Sequence, residues 1–163
     1  LKVGLLDESF EAYCEDTDLG LRAWRAGWDC VFAPECVVYH ARSMTLGEYS
    51  LRKLYLVERN HFWVVIKNFP IILALSNPIF TLFRYTLQFL ALFLRKGQGI
   101  GFNTYSKQEL IKVTIKGIFD SFKKVPLMLK KRSQQRYLRR RNGICTLLNF
   151  WRSRMTFKDL ILK

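Results

Sequence analysis

Cysteine, histidine, proline and, in the second half, acid are all scarce in this chain. The four cysteines (Cys14, Cys30, Cys36, Cys145) form no C-x-x-C pair and no zinc-type spacing with the two histidines. That argues against a disulfide framework or a structural zinc site and leaves reduced thiols as the plain reading. No segment repeats, which excludes a solenoid. The one glycine-rich stretch, GQGIG at 97–101, follows no strand-like run, so it is not a dinucleotide fingerprint. Between Asp120 and Asp159 there is no acidic residue at all.

What is present points to a folded chain. Half of the 163 residues are hydrophobic and 15% are aromatic, which is too apolar for a disordered composition. The length suits one modest domain, or a domain with an appendage. The net charge of +14 is unevenly spread. Residues 1–67 hold eight basic and ten acidic side chains (net −2), and residues 68–163 hold nineteen and three (net +16). An acidic part suits polar chemistry or a cation; a basic, apolar part suits anionic lipid or nucleic acid.

Periodicity predicts a helix over 17–26, with Leu19, Ala23, Trp24 and Ala26 on one face, Asp18 paired to Arg22, and Gly27 as its stop. Residues 30–33 and 36–39, separated by Pro34, read as two short β-type runs. Thr45 and Glu48 are spaced as a capping box, opening a helix over 46–67 that Pro70 closes. Arg52 and Arg59 lie seven apart and share a face of it. Residues 69–94 form the most apolar stretch. Asn77-Pro78 reads as the start of a helix running to about Lys96, with Thr81, Arg84 and Gln88 as one polar stripe. Such a stripe suits a helix lying in a membrane interface, or a span whose stripe faces protein. A further helical segment is expected over 106–133, broken at Pro126 and followed by a polybasic run.

The segment richest in chemistry is 4–27. Asp7, Glu8, Glu11, Glu15, Asp16 and Asp18 crowd ahead of an apolar helix face. Asp16 or Thr17 reads as the helix N-cap, and a carboxylate so placed is also a rigidly aimed base. The pattern Gly4, Asp7-Glu8, Phe10, Tyr13, Glu15-Asp16, Asp18-Leu19, Arg22, Gly27, Pro34 and His40 resembles the second half of the catalytic domain in glycosyltransferase family 2, particularly its rhamnosyltransferase-like members. Arg59-Asn60 and the Lys67 to Pro70 ending are similar to the family as well, while Glu11 stands where a second aromatic is common. These motifs span about 70 residues of the chain.

The resemblance implies an α/β architecture. Residues 1–67 would be the C-terminal part of a GT-A catalytic domain, 68–96 a membrane-associated helical region and 97–163 a basic helical tail. It implies inverting transfer of rhamnose or another hexose from a nucleotide-sugar donor to a glycan or lipid-linked acceptor, in cell-surface polysaccharide synthesis. By similarity Asp16 is the base, with Glu15 beside it. Asp7, Glu8, Trp24, Arg52 and Arg59 contribute to substrate binding, and His40 completes a metal or diphosphate site. A divalent metal, Mg2+ or Mn2+, would be held mainly by an Asp-x-Asp element upstream of Leu1, where the donor-binding half is also expected; without it the 163 residues are expected to be inactive. Each residue also has a plainer reading: Trp24 as helix core, Arg52 and Arg59 as solvated surface, His40 as a hydrogen-bonded strand end. The expected location is the cytoplasmic face of a membrane, against an anionic surface. Nucleic acid is not an expected partner, since no binding motif accompanies the basic run. The alternative is a non-catalytic basic module that binds membrane or nucleic acid.

Overall fold

The computed structural model describes residues 3–29, 31–39, 46–47, 49–93, 102 and 104–138. Five helices carry the fold: α1 (Glu15–Arg25), α2 (Leu51–Asn68), α3 (Ile71–Phe93), α4 (Lys107–Lys123) and α5 (Val125–Gln134). Short 3-10 turns lie at Glu8–Phe10 and Arg136–Leu138.

The expectation of an α/β, GT-A type architecture is overturned. Among the described residues there is no strand and no sheet. The two β-type runs show why. Residues 31–33 and 36–39 have strand-like composition, but no neighbouring strand answers their backbone N–H and C=O groups. Val31, Phe32, Val38 and Tyr39 are more than four-fifths exposed.

The ends of the helices are set locally. Three acids in the first turn of α1 and Arg22 and Arg25 in its last complement its dipole. Gly27 follows at φ 96°, as a left-handed stop requires. The side chain of Ser50 accepts from the Lys53 N–H and opens α2; the predicted box at Thr45 and Glu48 lies outside the described residues. Pro70, behind the C-cap Phe69, ends α2. Ser106 and Glu109 form a reciprocal capping box on α4. Pro126 falls in the first turn of α5, where its missing N–H costs little. Asn77-Pro78 does not start a helix: α3 runs from Ile71 through Pro78. Tertiary contacts hold it there. His61 Nε2 lies 3.2 Å from Asn77 Oδ1, and Arg84 donates to Glu58 at 2.5 Å.

Helix α2 is the hub, and α1, α3, α4 and α5 all pack on it. The apolar core is small: Phe10, Trp63, Val64 and Met128, with Cys14, Leu21, Ile66 and Phe69 against it. Phe10 meets Trp63 edge to face at 5.9 Å between ring centroids, and the Trp63 indole N–H donates to the Ser121 carbonyl at 2.9 Å. Gly117 lets α4 approach α2 closely, since a Cβ there would stand 3.0 Å from the Tyr55 carbonyl oxygen. No helix of the described residues is long and apolar enough to cross a membrane.

Candidate functional site

The chain ahead of α1 is strained. Glu11, Tyr13 and Cys14 all have positive φ (65°, 66° and 68°), although none is glycine. Glu11, with ψ −65°, is the centre of a tight γ-type turn in which the Ala12 N–H donates to the Phe10 carbonyl at 2.8 Å. Left-handed backbone costs an L-residue about 1–2 kcal/mol, so three such residues persist only because something imposes them.

Two neighbouring residues of α2 impose them. Asn60, fully buried, donates from Nδ2 to the carbonyls of Phe10, Ala12 and Tyr13, each at 2.8 Å. Arg59 donates from Nη2 to the Phe10 carbonyl at 3.1 Å, from Nη1 to Glu11 Oε1 at 2.8 Å and from Nε to Asn60 Oδ1 at 3.0 Å. One turn of α2 thus fixes the path of residues 10–14 and the direction in which α1 begins.

The motif acids fall into two groups. Asp7, Glu11 and Asp18 are engaged by cations. Asp18, fully buried, accepts from Arg22 Nε at 2.8 Å, Lys67 Nζ at 2.8 Å and Asn68 Nδ2 at 2.7 Å. Asp7 accepts from Lys67 at 2.7 Å, Lys131 at 2.5 Å and the Ser9 N–H at 3.0 Å. Burial pushes the Asp7 carboxyl up, but the hydrogen bonds from Lys131, Lys67 and Ser9 outweigh it and hold the group well below the usual carboxylate range. Arg22 also donates to the carbonyls of Val3 and Leu5. Glu11 bridges Arg59 and Arg52, the latter at 2.6 Å; the Arg59 hydrogen bond, against some burial, lowers its carboxyl.

Glu8, Glu15 and Asp16 form the other group and make no ion pair among the described residues; Glu8 is exposed in the 3-10 turn, and Glu15 and Asp16 occupy the first turn of α1. Asp16 is exposed and accepts from the Thr17 N–H at 2.6 Å. Cys14 lies behind them, its thiol pushed up to about 11 by burial and then by the charges of Asp16, Glu15 and Glu58. The helix starts two residues before the cap read from the sequence, at a Cys14 N-cap that offers no side-chain bond.

The remaining candidates are scattered. Arg52 and Arg59 share a face of α2, as their spacing predicts, and meet at Glu11. They flank two shallow cavities along α2 and α4, of about 280 and 240 Å3, which share Tyr55 and Asp120. Lys116, Lys123 and Lys124 complete a basic rim there. Asp16 and Trp24 line neither cavity; Trp24 is half-buried on α1 and Glu8 is exposed. His40 lies outside the described residues. Among those described, no three His, Cys, Asp or Glu side chains gather as a metal site. Asp7 and Asp18 are taken up by lysine and arginine, so these two acids do not fit a divalent cation.

Lys131 was legible only as a basic residue in a polybasic run, and Lys67 only as part of the Lys67 to Pro70 ending. Nothing in their spacing shows that both reach Asp7. Asn60 had one signal, its place beside Arg59 in the resemblance. No family model, no curated protein and no solved structure matches this chain.

Proposed function

We propose that this chain supplies the acceptor-activating part of an inverting glycosyltransferase. Asp16 is the general base and Glu15 the carboxylate beside it. The acceptor hydroxyl hands its proton to Asp16 as its oxygen attacks the anomeric carbon of a nucleotide-activated sugar, and the nucleotide diphosphate departs with the electrons of the broken glycosyl–phosphate bond. Rhamnose or another hexose is the sugar, and a glycan or lipid-linked saccharide the acceptor. No step above relies on a metal among the residues described. The basic rim of Arg52, Arg59, Lys116 and Lys124 suits the phosphate of a lipid-linked acceptor.

One observation carries this reading. Three strained residues, of which Arg59 and Asn60 hold Glu11 and Tyr13, lead into Glu15 and Asp16, which no cation among the described residues neutralises. Strain of this kind concentrates where a side chain must be aimed, whereas a helix cap alone needs none. A base must also be free of ion pairs, which Asp7, Glu11 and Asp18 are not.

The test is transfer of labelled sugar from a panel of UDP-, GDP- and dTDP-sugars into lipid-extractable or polymeric product by membranes that contain the protein. Asp16→Asn is expected to lower turnover by about a hundredfold to ten-thousandfold, as loss of a general base does, with helicity unchanged. Unaltered transfer by that variant, or no transfer from any donor by the wild type, would overturn the proposal; the latter outcome favours the non-catalytic alternative.

A further inference from the structure

Two of the helices around α2 have their polarity reversed relative to a helix in water. On α3, Asn77, Thr81 and Arg84 form one stripe and turn inward: Asn77 and Thr81 are buried, Asn77 faces His61, and Arg84 reaches Glu58. At about 100° per residue, Ile72, Leu75, Ile79 and Leu82 lie on the opposite face, and each is about two-thirds or more exposed. On α4 the buried residues turned to α2 are Gly117 and Ser121, with Leu110 and Val113 half-buried on the same face. Ile111, Ile115, Phe119 and Phe122 fall at i, i+4, i+8 and i+11, which is one stripe, and all four are exposed. Lys112, Lys116 and Lys123, also exposed, run along one edge of that stripe. Both helices meet Glu58. Its Cβ lies against Gly117, and its carboxylate takes Arg84 and Tyr85.

We propose that the outward faces of α3 and α4 together insert into the interfacial layer of an anionic bilayer. The apolar stripes enter the acyl boundary, and the lysine row of α4 lies at the level of the lipid phosphates. Charge selects this occupant over a second copy of the chain. Residues 71–93 and 107–123 hold five basic and two acidic side chains, a net charge of +3, so two such surfaces repel each other, whereas an anionic headgroup layer attracts them. An exposed apolar stripe edged by lysine is the pattern of a helix lying in the membrane plane. No helix of the described residues is long and apolar enough to cross, which fits insertion from one side. The inference rests on polarity and charge; it shares Lys116 with the acceptor rim proposed above and otherwise stands apart from the sugar-transfer reading.

The test is flotation of the full chain with vesicles of phosphatidylcholine, alone and with about one third phosphatidylglycerol. The wild type is expected to float with the anionic vesicles and to stay behind with the neutral ones. Lys112→Ala/Lys116→Ala/Lys123→Ala should weaken binding roughly a hundredfold. Phe119→Glu/Phe122→Glu and, independently, Leu75→Glu/Ile79→Glu should each abolish it while helicity by circular dichroism is kept. The inference is overturned if either glutamate pair that keeps its helicity floats like the wild type, or if the wild type floats equally with neutral vesicles. It is also overturned if the wild type is a lipid-free dimer that Phe119→Glu/Phe122→Glu converts to monomer. Loss of flotation in both glutamate pairs, with transfer to a soluble acceptor intact in them, would separate this surface from the catalytic proposal.

Discussion

The junction of residues 3–25 with α2 and the outward sides of α3 and α4 are opposites. The first buries charge: Asp18, Arg22, Lys67 and Asp7 interlock with almost no water around them. The second exposes hydrocarbon: Ile72, Leu75, Ile111 and Phe119 face outward. With few buried apolar side chains among the described residues, apolar surface that α2 cannot cover has been left outside. The N-terminal segment is held instead by ion pairs and carbonyl clamps. Such contacts define one arrangement sharply, because any shift strands a charge.

The largest test of that contrast is Asp18→Ala. It leaves Lys67 and Arg22 facing each other without their shared partner, and breaking a buried pair in this way costs about 3–5 kcal/mol. Urea unfolding should show a loss of that size, together with detachment of α1. A change below about 1 kcal/mol would mean that the junction is held by Phe10 and Leu21 rather than by charge.

Next comes pH. The Asp7 carboxyl is depressed in the fold relative to an unfolded value near 3.9. Its contribution is therefore complete above about pH 4–5 and is lost as the pH falls through the depressed value. Urea midpoints of the wild type should decline in acid, whereas Asp7→Asn should be less stable at neutral pH and flatter below about pH 4. Parallel curves would show that Lys67 and Lys131 do not grip this carboxylate in solution.

Phe119→Ser should do least. Its ring is mostly exposed, so stability without lipid is expected to change by no more than about 0.5 kcal/mol. A larger loss would reveal that the outward side of α4 is covered.

The helices were legible where a local rule sufficed. The Asp18–Arg22 pair, the stop at Gly27, the closure at Pro70 and the break at Pro126 follow from spacing and capping chemistry. The errors share one cause. Residues 31–33 and 36–39 have strand composition, but a strand exists only with a partner, and nothing in a single segment tells whether one is there. Asn77-Pro78 has the chemistry of a helix start, yet His61 and Glu58 hold α3 continuous through it. The site was half legible. Crowded acids mark the segment, but which of them are neutralised depends on Lys67, Lys131 and Arg59, which lie between 48 and 124 residues away in sequence. The inward stripe of α3 was readable as a stripe, whereas the outward stripe of α4 emerged only once Gly117 was seen against Tyr55.

The left-handed residues at 11, 13 and 14 also carry an evolutionary liability. Glycine would relax the backbone at Tyr13 or Cys14, so selection for heat tolerance alone should drift toward it there. A slacker lead into α1 would let its first carboxylates wander. The bulky side chains at both places therefore trade robustness for aim.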